Sequence, residues 1–189
     1  VSRLFIAADL DEMTREALSH LLGDLPGAHW TPPDQMHITL KFLGETPAAK
    51  MDALRHGLRR IEGKAFTVAL KGLGVFPLRG DPETLWIGVH SQALISLRNR
   101  MESVLAQAGF AREHRKYHPH LSLARLGQGP VEWLADYLKS QAGISIVEAA
   151  IHSFTLFESE RHAGGPIYSV IETFPLFGIL DQGPEEEEF

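Results

Sequence analysis

Cysteine is absent from the 189-residue chain. That excludes disulfides, a thiolate nucleophile and zinc–thiolate sites, and it fits a cytoplasmic protein. No apolar run reaches membrane-spanning length, and the first residues carry no basic segment ahead of an apolar stretch. Neither a transmembrane helix nor a secretory leader is therefore expected. A basic surplus is missing too. The formal net charge is −6, and Glu185 to Glu188 account for four of the acidic groups, so residues 1–184 carry 18 basic and 20 acidic side chains, a net of −2. Proteins that coat long nucleic acid are usually basic. A near-neutral body that handled RNA would grip an end or a few nucleotides. After Gly183-Pro184, residues 185–189 read as a solvated acidic tail.

What is present is a soluble globular composition, 44% hydrophobic and 22% charged, with ten histidines. Two of these sit in a repeated frame. His37-Ile38-Thr39-Leu40-Lys41-Phe42-Leu43-Gly44 recurs as His120-Leu121-Ser122-Leu123-Ala124-Arg125-Leu126-Gly127, both H-x-[T/S]-L-x-x-L-G.

The surroundings repeat as well. Leu4–Ala8 reads as a buried strand. A helix follows, with Asp11 near its N-cap, Leu10, Met13, Ala17, Leu18 and Leu21 inward, and Gly23 closing it. After the His37 strand, Thr46 and Pro47 predict a helix start with the core stripe Met51, Leu54, Leu58 and Ile61. Phe66–Phe76 reads as a strand, with Gly72 and Gly74 marking a bulge or close approach. In the second half, Leu85–Val89 is a strand. Ser91 opens a helix with Leu94, Leu97, Met101, Val104 and Leu105 inward, and the His120 strand follows. Gly129-Pro130 opens a helix with Leu134, Tyr137 and Leu138 inward. Residues 144–157 supply strand again, and a final strand runs over 167–173. Phe5 to His37 is 32 residues and Trp86 to His120 is 34. The pattern is α+β: one domain over 1–184, with repeats at about 3–76 and 85–157 related by a pseudo-twofold axis.

On a strand, residues i and i+2 share a face. His37 and Thr39 then point one way while Ile38 and Leu40 pack behind, and His120 and Ser122 match them with Leu121 and Leu123 behind. Two imidazoles on one cleft suit acid–base work, since free histidine titrates near ~6.5 and one ring can be neutral while the other is protonated. The hydroxyls can donate to an anionic oxygen. In-line displacement at phosphorus needs this set. The residues alone leave open which ring is the acid.

With Met36-His37-Ile38-Thr39-Leu40-Lys41-Phe42-Leu43-Gly44, Pro119-His120-Leu121-Ser122-Leu123-Ala124-Arg125 and Gly165-Pro166-Ile167-Tyr168, the chain resembles the 2H phosphoesterase superfamily. Within it, it is similar to the RNA 2′,3′-cyclic phosphodiesterases, or 2′-5′ RNA ligases. The resemblance implies a bilobal LigT-like fold, with a groove between two antiparallel sheets and helices outside. It also implies hydrolysis of RNA 2′,3′-cyclic phosphate ends to 2′-phosphates, without metal or other cofactor. His37 would be the proton donor and His120 the base, with Thr39 and Ser122 on the phosphate oxygens. Run backwards, the site would form a 2′-5′ bond. Ser122 departs from the family's usual threonine, keeping the hydroxyl but losing the methyl that restrains it.

Around this pair we expect substrate contacts from Arg125, Arg3, Phe5 and Tyr168, the last two by stacking. Arg115 and Lys116 belong to a basic stretch expected to meet the RNA backbone. Strand alternation places Arg125, three residues after Ser122, on the opposite face unless the strand twists or ends. The partner is an RNA end rather than a membrane, and the protein is expected to be a monomer. Two rivals stand beside this reading. His114, His118 and His120 have H-x₃-H-x-H spacing suited to a metal-dependent hydrolase. A non-catalytic module that binds RNA ends is the other.

Overall fold

The computed structural model describes residues 1–127 and 131–181. The predicted helix start at Gly129-Pro130 and the acidic tail lie outside the described residues.

The first half supplies β1 (Ser2–Ala8), α1 (Glu12–Leu21), β2 (Ala28–Trp30), β3 (Ile38–Thr46), α2 (Met51–Arg59) and β4 (Lys64–Phe76). The second supplies β5 (Thr84–His90), α3 (Gln92–Gln107), β6 (His120–Leu126), α4 (Val131–Ser140), β7 (Ser145–Ile151) and β8 (Ser153–His162). β9 (Gly165–Pro175) and β10 (Phe177–Asp181) follow.

One sheet has the order β3-β1-β8-β9; the other has the order β10-β4-β5-β6-β2, with β7 also on β4. All pairings are antiparallel except β10 with β4. The duplication is visible in the strand neighbours: β3-β1-β8-β9 in the first sheet matches β6-β5-β4-β7 in the second. The match requires an exchange. β4, from the first half, pairs with β5, and β8, from the second, pairs with β1. The architecture is α+β, two sheets related by a pseudo-twofold duplication.

Helix ends follow local chemistry. The Asp11 carboxylate accepts from Thr14 N at 2.7 Å, and the Ser91 hydroxyl from Leu94 N at 3.2 Å, each satisfying an orphan N–H of the first turn. Helix α1 buries Thr14 and Leu18 toward Leu10 and Leu22, a stripe at four-residue spacing. That rotation leaves Met13 82% and Leu21 46% exposed, against the inward placement expected for both. Thr46 ends β3 instead of capping a helix; its hydroxyl donates to Gly44 O at 3.3 Å, and a short 3₁₀ turn over Ala48–Lys50 precedes α2. The 144–157 stretch divides at His152, so β7 joins one sheet and β8 the other. Gly72, at φ +79°, lies where the β4–β5 register slips, and Gly74 lies under Trp86, whose ring would stand 2.2 Å from an added Cβ.

Candidate active site

His37 immediately precedes β3, the edge strand of the first sheet, and His120 opens β6, which lies between β5 and β2 in the second; β3 and β6 approach each other with Cα atoms within 8 Å. Behind His37 and Thr39, Ile38 and Leu40 are buried; behind His120 and Ser122, Leu121 and Leu123 are buried. The apolar face anchors each strand in the core, and His37, Thr39, His120 and Ser122 alternate onto the other face.

The two rings are held in the same way. His37 Nδ1–H donates to Gln35 O at 2.7 Å, and His120 Nδ1–H donates to His118 O at 2.7 Å. Each carbonyl belongs to the residue two places earlier. The bond fixes the tautomer of the neutral ring and leaves Nε2 as the free nitrogen.

Both rings also rest on aromatic side chains from the neighbouring strands. His37 lies 5.0 Å from Phe5 on β1, 5.8 Å from Phe157 on β8 and 5.2 Å from Tyr168 on β9, between ring centroids. His120 lies 6.1 Å from Trp86 on β5 and 5.1 Å from Phe76 on β4. Phe157 and Phe76, on the exchanged strands, are equivalent under the duplication, opposite Phe5 and Thr84, whereas the register puts Ala7 where the second half has Trp86. The seat of His37 is the more enclosed. Burial lowers its pKa from 6.5 to about 4; the hydrogen bond to Gln35 opposes this, and the Arg15 charge adds to it.

A bulge repeats in both motifs. Leu85 pairs with Ala124 and Trp86 with Ser122, so Leu123 is the extra residue of β6. Leu123 and Ala124 are both buried, and Ser122 and Arg125 are both exposed. The bulge thus returns Arg125 to the face of Ser122, correcting the opposite-face placement that strict alternation gives. Its guanidinium reaches the β8–β9 hairpin of the other sheet, lying 3.6 Å from the Cβ position of Gly165. In the first motif, Ile6 pairs with Lys41 and Ala7 with Thr39, so Leu40 is extra. Phe42, the counterpart of Arg125, is 71% exposed on the same side as Thr39 and 6.1 Å from Phe5.

Phe5 is 3% exposed and works as the packed floor under His37 rather than as an open stacking surface. Tyr168 is half-buried against both rings, and burial raises its pKa while Arg3 opposes the rise. Arg3 is exposed on β1. Arg115 is paired: its Nε and Nη2 donate to the Glu113 carboxylate at 3.2 and 3.0 Å, bonds that hold Glu113 down to about 2. Lys116 is exposed. Among the described residues, no group of three or more His, Asp or Glu side chains converges to hold a metal ion, so His114, His118 and His120 do not form the centre their spacing offered. Sequence reasoning missed Phe42, Arg15 and the seats Phe76, Trp86 and Phe157. The period between matched residues in the two frames would have found Phe42; the others depend on strand exchange and helix docking.

The family model described as LigT like Phosphoesterase matches twice, over residues 9–86 and 87–168. The chain is 32% identical over 176 residues to the RNA 2′,3′-cyclic phosphodiesterase of Archaeoglobus fulgidus, covering 91% of this chain and 99% of that protein. It is 33% identical over 187 residues to the protein of the same name from Geobacillus stearothermophilus, covering 95% of this chain but 59% of that relative's length. The crystal structure of E. coli LigT complexed with 3′-AMP has a TM-score of 0.71 at 28% identity, covering 94% of this chain and 99% of that one. With two family matches and a matched pair of histidine strands, the chain belongs to the LigT-like phosphoesterases.

Proposed function

We propose that this protein hydrolyses RNA 2′,3′-cyclic phosphate ends to 2′-phosphates, with His37 and His120 as the acid–base pair. One observation carries the reading: two imidazoles on strands of the two sheets that approach within 8 Å, each with Nδ1 bonded to a carbonyl at 2.7 Å and Nε2 left for a reactant. The names of the relatives supply the substrate class.

In the step we propose, His120 Nε2 takes a proton from water as the water oxygen bonds to phosphorus. The bond from phosphorus to the 3′ oxygen breaks, and His37 Nε2–H gives its proton to that oxygen. Thr39, Ser122 and Arg125 donate to the non-bridging oxygens, where negative charge is concentrated. The seat of His37 favours its neutral form in the free protein, so as a donor it takes up its proton alongside the anionic phosphate, whose charge opposes the cost of burial. In reverse, the same groups add a 5′-hydroxyl across the cyclic phosphate and form a 2′-5′ linkage.

The test is a short RNA ending in a 2′,3′-cyclic phosphate, incubated with the protein in EDTA, with product identified by chromatography. A 2′-phosphate is expected. His37→Ala and His120→Ala should each lower kcat by about 10²–10⁴-fold, the usual worth of a general acid or base. Near-parental turnover in either variant, or tight binding without turnover in the parent, would overturn the proposal. Adding a 5′-hydroxyl oligonucleotide to the same reaction tests ligation.

A further inference from the structure

Behind the two motifs lies a polar circuit that no step above uses. Lys41, two residues after Thr39 on β3, is 6% exposed. Its Nζ donates to Glu102 Oε1 and to Ala111 O, both at 2.8 Å. Glu102, on α3, is 5% exposed; its Oε2 also accepts from Glu113 N at 3.3 Å. Arg98, one turn earlier on α3, places Nη2 3.4 Å from Glu102 Oε1 and its guanidinium 5.1 Å above the ring of Tyr117. The Tyr117 hydroxyl then donates to Thr39 O at 2.8 Å, and the circuit closes on the strand where it began.

The circuit joins parts that the duplication keeps separate. Lys41 and Thr39 belong to the first sheet, and α3 follows β5 of the second. Tyr117 lies in the segment that delivers His120, next to His118, whose carbonyl holds the His120 ring. The position equivalent to Lys41 in the second motif is Ala124, buried beside the same kind of bulge. The bulge therefore does not need a charge there. A buried lysine and glutamate are costly unless paired, and this pair is completed by bonds to the segment that carries the second motif.

We propose that Tyr117, with the Lys41–Glu102–Arg98 ion triad, is a positioning device that fixes the second histidine motif against the first. The inference rests on the two-histidine reading above, and it concerns alignment rather than contact with substrate. Acid and base must bracket one phosphorus atom in line, and a misplacement of about 1 Å costs on the order of 10²-fold in rate. Alignment is felt in the transition state, so losing it lowers kcat more than it raises KM.

The decisive variant is Tyr117→Phe, which removes one hydroxyl and keeps the ring under Arg98. With the cyclic-phosphate RNA, kcat should fall about 10-fold with KM within about 2-fold of the parent. Thermal unfolding should stay within a few degrees of the parent. Glu102→Gln should also lower kcat. The double variant should be no more than about 2-fold worse than the poorer single, because groups acting as one unit are not additive. Parental kcat in Tyr117→Phe, a rise in KM alone, or fully multiplicative losses would each overturn the inference. A parent protein that fails to turn the RNA over would instead sink the two-histidine reading.

Discussion

At the scale of single residues, His37 and His120 share a motif and a backbone bond but not an environment. The enclosed aromatic seat of His37 disfavours its imidazolium and lowers its pKa to about 4. In the proposed mechanism, turnover needs one ring protonated and one neutral. On the acidic side, activity is lost only when the second proton binds, and that proton must enter the ring that resists it. We expect kcat/KM to hold as pH falls through ~6.5, where a free histidine titrates, and to decline toward the lowered value of about 4. Phe157→Ala opens one side of the seat, 5.8 Å from the imidazole. Water then stabilises the charged ring, and the acidic limb should move up by about one unit or more. A pH–rate profile with an unmoved limb would show that Phe157 does not set the proton affinity of His37.

At the scale of elements, the bulge in β6 is what turns Arg125 toward Ser122. Arg125→Ala should raise KM about 10-fold for the cyclic-phosphate RNA, with a smaller effect on kcat. Arg125→Lys should restore only part of the loss, since an ammonium lacks the planar fork that grips two phosphate oxygens. Steady-state kinetics of both variants check this; a lysine variant equal to the parent would reduce Arg125 to a point charge. The bulge also marks where the sequence stops being legible. Periodicity located the strands carrying His37 and His120 and the helices capped by Asp11 and Ser91, because those signals are local. It could not count Leu40 or Leu123 as extra, because a bulge exists only relative to the partner strand. Met13 fits an inward stripe by spacing alone; docking of α1 through Leu18 and Leu22 turned it out. Likewise, residues 144–157 are uniformly strand-like, and only the positions of two separate sheets divide them at His152.

At the scale of the whole molecule, exchange of β4 and β8 interlocks the two halves. A fragment of residues 1–80 would retain β1, β2, β3 and β4, but the partners of β4 among β5 and β7, and the β8 partner of β1, are in the rest of the chain. Phe66, Val68 and Leu70 of β4, now fully or nearly fully buried, would face water. Burial of such side chains contributes about 1.5–3 kcal/mol each, comparable in sum to the whole stability of a small domain. The fragment should therefore show no dispersed amide spectrum alone. Residues 81–189 should do no better, since β5 and β8 lose β4 and β1. Co-expressed, the two should form a one-to-one complex, because the cut falls in the β4–β5 connection and leaves every strand pairing intact. His37 and His120 then reside on different chains, so activity should appear only on mixing and scale with the amount of complex. A folded, cooperatively melting 1–80 fragment would mean that the first half does not need its exchanged partner. Turnover by either fragment alone would mean that one histidine motif suffices, and the paired site would have to be abandoned.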